Sequence, residues 1–135
     1  MSYPIADLEG IAPGVAAMLK SVGIRTTQKL LETAKNLKGR KALAERTGFD
    51  EKEILRWANM ADRMRIKGVG EDYAELLEAA GVDTVRELKY RNPSNLARAM
   101  ATANQQRNLV ELLPSEKAVM RWIAHAKTLP LKISY

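Results

Sequence analysis

Apolar residues recur at three- and four-residue intervals along nearly the whole chain, as in Ile54, Leu55, Ala58, Ala61 and Met64, or Val119, Met120, Trp122, Ile123 and Ala126. No stretch alternates apolar with polar, so the pattern supports amphipathic helices and gives strands no support. Local signals divide the pattern into elements. Asp50 with Glu53 and Thr84 with Glu87 have the N-cap to N3 spacing of a capping box. Pro13, Pro93 and Pro114 stand at or just before first turns, where a missing N–H costs nothing. Gly23, Gly48 and Gly81 suit the left-handed residue that ends a helix. The spacing predicts helices over 13–22, 26–36, 39–47 and 50–66, then 71–80, 84–91, 93–103 and 115–128. The polar stretch Thr102 to Asn108 fits either a loop or a frayed helix end, and residues 129–135, broken by Pro130, read as an extended tail.

The same positions occur twice. Gly10-Ile11-Ala12, Ala16, Leu19, Gly23-Ile24, Thr26 and Leu30 return at a constant offset (68 − 10 = 58) as Gly68-Val69-Gly70, Ala74, Leu77, Gly81-Val82, Thr84 and Leu88. A second echo with its own offset (115 − 50 = 65) carries Asp50-Glu51-Lys52 and Ile54-Leu55-Arg56-Trp57 into Ser115-Glu116-Lys117 and Val119-Met120-Arg121-Trp122. The offsets differ by seven, which places seven extra residues between about 92 and 112 of the second copy. A fixed-period echo marks one supersecondary unit used more than once, each copy burying its face on the next. The expected architecture is all-α, two repeats packed as a single domain over 1–135: repeat one about 5–66, repeat two about 67–128, extended tail 129–135. In the same register the tail occupies the place where a third hairpin would begin, so it is expected to act as a terminal cap.

Length and composition agree with one core: 135 residues, 46% of them hydrophobic. The absence of cysteine excludes disulfides and thiolate metal sites. The first ten residues have no signal-peptide character and no apolar run has membrane-spanning length, which makes a soluble cytoplasmic protein without a membrane role the expectation. The formal charge of +6 is unevenly spread. Between Lys20 and Arg46 eight basic residues face only Glu32 and Glu45, whereas between residues 71 and 87 six acids face only Arg86. A polyanionic partner fits the first window, and charge complementarity with another protein or a second copy fits the pair.

The unit of an apolar helix, a tight Gly-apolar-Gly bend and a second helix with apolar residues four and seven positions on, as in Gly68-Val69-Gly70 with Ala74 and Leu77, resembles the helix-hairpin-helix motif. With the Gly81 to Leu88 continuation, Gly39-Arg40-x-x-Leu43-Ala44 before Thr47-Gly48, and the Arg-Trp helix, the chain is also similar to an uncharacterised bacterial family, a domain of unknown function grouped with helix-hairpin-helix proteins. The resemblance implies tandem hairpins that bind double-stranded DNA weakly and without sequence preference. Glycine lets the backbone approach a phosphate, and the next helix offers its N–H groups and positive dipole end. The residues implied are Gly10, Ile11 and Ala12 with Lys20, Arg25, Lys38, Arg40 and Lys41 as the main contact, and Lys67, Gly68, Val69 and Gly70 as the second. The copies divide the assets: Ala12 replaces a glycine and Pro13 removes an N–H in the first, while Glu71 and Asp72 occupy the dipole end in the second.

Other candidates read more simply as structure. Gly68-Val69-Gly70 followed by Asp83 superficially resembles DNA glycosylases, but Asp83 follows too closely and no partner residue is visible. His125 is the sole histidine and suits a helix surface; Trp57 and Trp122 suit core anchors, and Arg56 and Arg121 cover those faces with their stems. No nucleophile–base set, paired carboxylates, phosphate loop or metal cluster appears, so the expectation is a non-enzymatic binding module without cofactor or metal. The alternative to DNA is a protein-interaction or self-assembly adaptor with no nucleic-acid role.

Overall fold

A computed structural model describes residues 2–8 and 10–135. Helices follow the apolar periodicity: α1 Pro13–Ser21, α2 Thr27–Ala34, α3 Leu37–Thr47, α4 Glu51–Arg63, α5 Glu71–Ala79, α6 Val85–Lys89, α7 Pro93–Arg107 and α8 Glu116–Ala126, preceded by a 3-10 turn at Ile5–Asp7. Among the described residues the fold is all-α, with one isolated antiparallel bridge between Pro4 and Thr26. The buried side chains, among them Leu19, Leu30, Ile54, Ile66, Leu77 and Leu88, form one continuous cluster. In the first half α2 and α3 pack on α4; in the second α6 and α7 pack on α8, and α4 against α5 joins the halves.

The backbone repeats bond for bond. Ile24 N–H donates to Leu19 O at 2.9 Å and Val82 N–H to Leu77 O at 2.9 Å; Ala16 N–H reaches Ala12 O at 3.0 Å and Ala74 N–H reaches Gly70 O at 2.9 Å. The partners in each pair of bonds are the residues that the first sequence echo equates. The seven extra residues resolve at one place. The residue matching Thr47, the end of α3, is Gln105, yet α7 runs two residues further to Arg107, and 108–115 then make a connection five residues longer than 48–50. Thr102 to Arg107 is therefore helix. Asn104 makes this possible by turning its side chain onto the next loop, accepting from Val110 N–H at 2.9 Å and donating to Val110 O at 3.0 Å, while Asn108 adopts the left-handed conformation at φ 50°.

One pair of contacts is made by different chemistry in each half. In the first, Ile5 N–H donates to Arg25 O at 2.9 Å and Tyr3 O accepts from Thr27 N–H at 2.8 Å, so backbone holds backbone. The equivalent points, Asp83 O and Val85 N–H, meet side chains instead: Arg63 Nη1 donates to Asp83 O and Asp62 Oδ2 accepts from Val85 N–H, both at 2.8 Å. The capping box expected at Thr84 is thereby corrected. Its hydroxyl bonds the Glu87 carboxylate at 2.9 Å, and Asp62 takes a first-turn amide of the same helix.

Residues 129–135 run extended over α2 and α3, with Ile133 buried. Ser134 N–H donates to Lys35 O at 2.8 Å, Arg65 Nη2 donates to Pro130 O at 2.7 Å, and Lys132 pairs with Glu32. The hydrogen bond from Lys132 holds the Glu32 carboxyl below its ordinary range, the charges of Lys132 and Lys35 adding to it and burial opposing. A depressed carboxyl contributes stability above its unfolded titration range, and that contribution disappears as pH falls through the folded one. Hydrogen exchange at the Ser134 amide is thus expected to lose protection on acidification below about pH 4, and Glu32→Gln to flatten that dependence. Identical pH profiles for the two proteins would remove Glu32 as the fastener.

Candidate functional site

Each half contains a bend led by a left-handed glycine, Gly10 at φ 81° and Gly68 at φ 91°. The apolar residue that follows anchors the bend. Val69 is buried and Ile11 half-buried, and their N–H groups close the turn on Ile66 O at 3.0 Å and Leu8 O at 3.2 Å. Both bends lead into a helix whose N-cap residue, Ala12 for α1 and Gly70 for α5, makes no side-chain cap. Every other helix of eight or more residues is closed by a side chain: Thr26, Asn36, Asp50, Asn92 and Ser115 each accept from a first-turn amide. The bends therefore present the helix ends that the sequence leaves open, and an open end carries partial positive charge.

An arginine of α4 stands beside the first bend, and its counterpart on α8 shares a cavity with the second. The Arg56 guanidinium lies so close to Gly10 that a Cβ there would stand 3.7 and 3.8 Å from its two terminal nitrogens. It remains about half exposed, with Nε 4.0 Å from Glu78 Oε2. Arg121, its counterpart in the second echo, is exposed and lines a cavity of about 720 Å³ with Lys67 and Gly68. A Cβ on Gly68 would stand 3.3 Å from Trp122 Nε1, so this bend has an indole against it as well. His125 also lines this cavity, and its Nδ1 accepts from Lys67 N–H at 3.1 Å.

Of the residues expected at the interface, Gly10, Ala12, Lys20, Arg25, Lys38, Lys41, Lys67 and Gly68 are exposed, Ile11 and Gly70 half-buried, and the Val69 side chain belongs to the core. Arg40 is a correction. It is only 3% exposed, and its guanidinium donates to Ala34 O at 2.9 Å and Ser134 O at 2.7 Å, fastening residues 129–135 to the end of α2. Burial pulls its pKa down. Lys38 and Lys41 consequently stand exposed without it on α3, a helix that packs on α2 and α4. Lys35 pairs with Glu32 at 3.4 Å and Arg46 donates to Val22 O at 3.0 Å, so the basic window is partly consumed within the fold. Arg56, which does reach the first bend, and Arg121, which lines the cavity at the second, are visible in the sequence as the repeated Arg-Trp dipeptide, where they read as packing. Trp57 and Trp122 are buried anchors, Trp57 edge-on to Phe49 at 5.4 Å.

Among the described residues no group of three His, Asp or Glu side chains converges as a metal ligand set, and no helix is long and apolar enough to cross a membrane. The molecule is thus an all-α domain whose distinctive surface is a pair of glycine bends, with Arg56 beside the first and a cavity lined by Lys67 and Arg121 at the second. Residues 9–129 match the family described as domain of unknown function (DUF4332), and the chain belongs to that family. No curated protein and no solved structure matched it.

Proposed function

We propose that the two halves are tandem helix-hairpin-helix units and that the protein is a binding module that holds double-stranded DNA by its phosphates, without reading sequence. The observation that carries this is the coincidence, at both bends, of a left-handed glycine and a helix end without a side-chain cap, with the Arg56 guanidinium beside the first and Arg121 in the cavity that Gly68 lines at the second. An anion seated at the bend meets amide N–H groups, the dipole and a guanidinium together. The first bend is the principal contact, because Arg56 stands beside it and Lys20 and Arg25 are exposed on the same half, while exposed Glu71 and Asp72 compete at the second. Phosphate contacts alone give sequence-independent affinity that depends steeply on salt.

Fluorescence anisotropy of a labelled duplex at several salt concentrations tests the reading. Binding in the 10⁻⁴ to 10⁻⁶ M range, roughly, is expected at low salt, with Arg56→Gln lowering the salt slope by about one and Lys20→Gln with Arg25→Gln lowering it further. Arg40 is left intact because its loss would loosen the fold. No binding at tens of micromolar protein in low salt, or binding indifferent to Arg56, would sink the DNA reading; a salt-sensitive oligomer seen in sedimentation instead would point to the self-assembly adaptor.

A further inference from the structure

The 720 Å³ cavity beside the second bend owes one wall to the 108–115 connection, a stretch that is five residues shorter in the first half. Leu112 and Leu113 on that connection face solvent, 76% and 40% exposed, at the rim. Tyr73 locks the connection in place through its hydroxyl, which donates to Leu112 O at 3.0 Å, and its ring stacks at a tilt on Trp122 with centroids 5.3 Å apart. The same lining includes the cationic side chains Lys67 and Arg121, together with His125. No carboxylate lines the cavity among the described residues, although Glu71, Asp72 and Glu111 lie in the neighbouring depression.

We propose that this cavity binds a small organic anion with an apolar body, its sulfonate, phosphate or carboxylate at Lys67 and Arg121 and its hydrocarbon against Leu113, Tyr73 and Trp122. The volume lies in the range of ordinary ligand sites, and a mostly apolar lining with a few polar and charged groups is their usual composition. Two cations in the lining, with no carboxylate beside them there, select against neutral and cationic molecules of the same shape. The inference does not depend on DNA binding, since the cavity lies beside the second bend and the principal DNA contact is placed at the first.

Anilinonaphthalene sulfonate is the probe, used on the full chain carrying Trp57→Phe. That substitution removes an indole N–H with no hydrogen-bond partner and leaves Trp122 as the sole tryptophan, so energy transfer to the probe reports this cavity. Saturable one-to-one binding in the range of tens of micromolar is expected. Arg121→Glu, an exposed position, is expected to weaken it at least about tenfold, Ala118→Trp to abolish it by filling the cavity, and Lys52→Glu to leave it unchanged. Non-saturating binding, no energy transfer from Trp122, or an affinity that Arg121→Glu leaves intact while circular dichroism shows the fold retained would each overturn the proposal.

Discussion

Arg63→Met is expected to destabilise the protein by about 3 kcal/mol, which corresponds to a fall of roughly 10 °C in thermal midpoint for a chain of this size. Arg63 is 1% exposed and ties α4 to two parts of the second half, α5 and the connection at Asp83. Its Nε donates to Ala74 O at 2.8 Å, its Nη1 to Asp83 O at 2.8 Å, and its Nη2 lies 3.6 Å from the Glu78 carboxylate. Burial pulls its pKa down, and the charges of Glu78, Asp83 and Asp62 oppose that shift. Methionine keeps much of the volume but removes every donor, leaving Asp83 O without the partner that holds it and Glu78 without its nearest cation. The first half makes the same link with backbone from Ile5, so the damage should be confined to the second. Amide exchange at Val82 and Val85 is expected to accelerate strongly while Ile24 and Thr27 respond less. A variant within about 1 kcal/mol of the parent, the ordinary size of a surface substitution or less, or equal acceleration in both halves, would contradict this account.

The helices were legible in the sequence where their signals are local. Proline at the first position of α1 and α7, glycine after α3 and the helical apolar period need no information from elsewhere in the chain. Boundaries moved where a single polar side chain decided them. Asn36 reads as the end of α2 but accepts from Gly39 N–H at 2.8 Å and so starts α3; Asn104, which fits either a loop or a frayed helix end in the sequence, bonds Val110 and lets α7 continue. Long-range substitutions were not legible at all. Nothing around Thr84 announces that Asp62, on another helix, will cap Val85, and nothing around Arg40 announces that Ser134 will arrive to accept from it. The glycine bends of the candidate site could be read from the echo because each is a backbone requirement written in one residue. Their arginines could be seen but not placed, because periodicity gives the buried face of α4 and α8 without giving what the exposed edge stands beside.

Gly39→Ala separates local propensity from packing most sharply, because the two predict opposite signs. Gly39 lies inside α3, where alanine is preferred by roughly 0.5–1 kcal/mol, so propensity alone predicts a more stable protein. A Cβ at this position, however, would collide with Thr33 O and stand 3.2 Å from Asn36 Oδ1. The close approach follows from the connection: α2 ends at Ala34 and α3 begins at Leu37, so only Lys35 and Asn36 turn the chain, and the first turn of α3 folds back onto the last turn of α2. The obstacle is a backbone carbonyl, which cannot rotate away as a side chain would. Relief requires α3 to shift, and the next residue is Arg40, whose bonds to Ala34 O and Ser134 O depend on the present spacing. The overpacking cost of about 2–3 kcal/mol therefore outweighs the propensity gain, and the midpoint should fall by several degrees. Gly14→Ala provides the matched comparison: Gly14 lies in α1, nothing stands within 4 Å of its Cβ position, and the substitution should be neutral or stabilising by up to about 1 kcal/mol. If both variants gain stability together, the α2–α3 contact does not constrain residue 39; if Gly39→Ala alone loses it and also exposes the Ser134 amide to exchange, the close packing of α2 on α3 is what holds residues 129–135 in place.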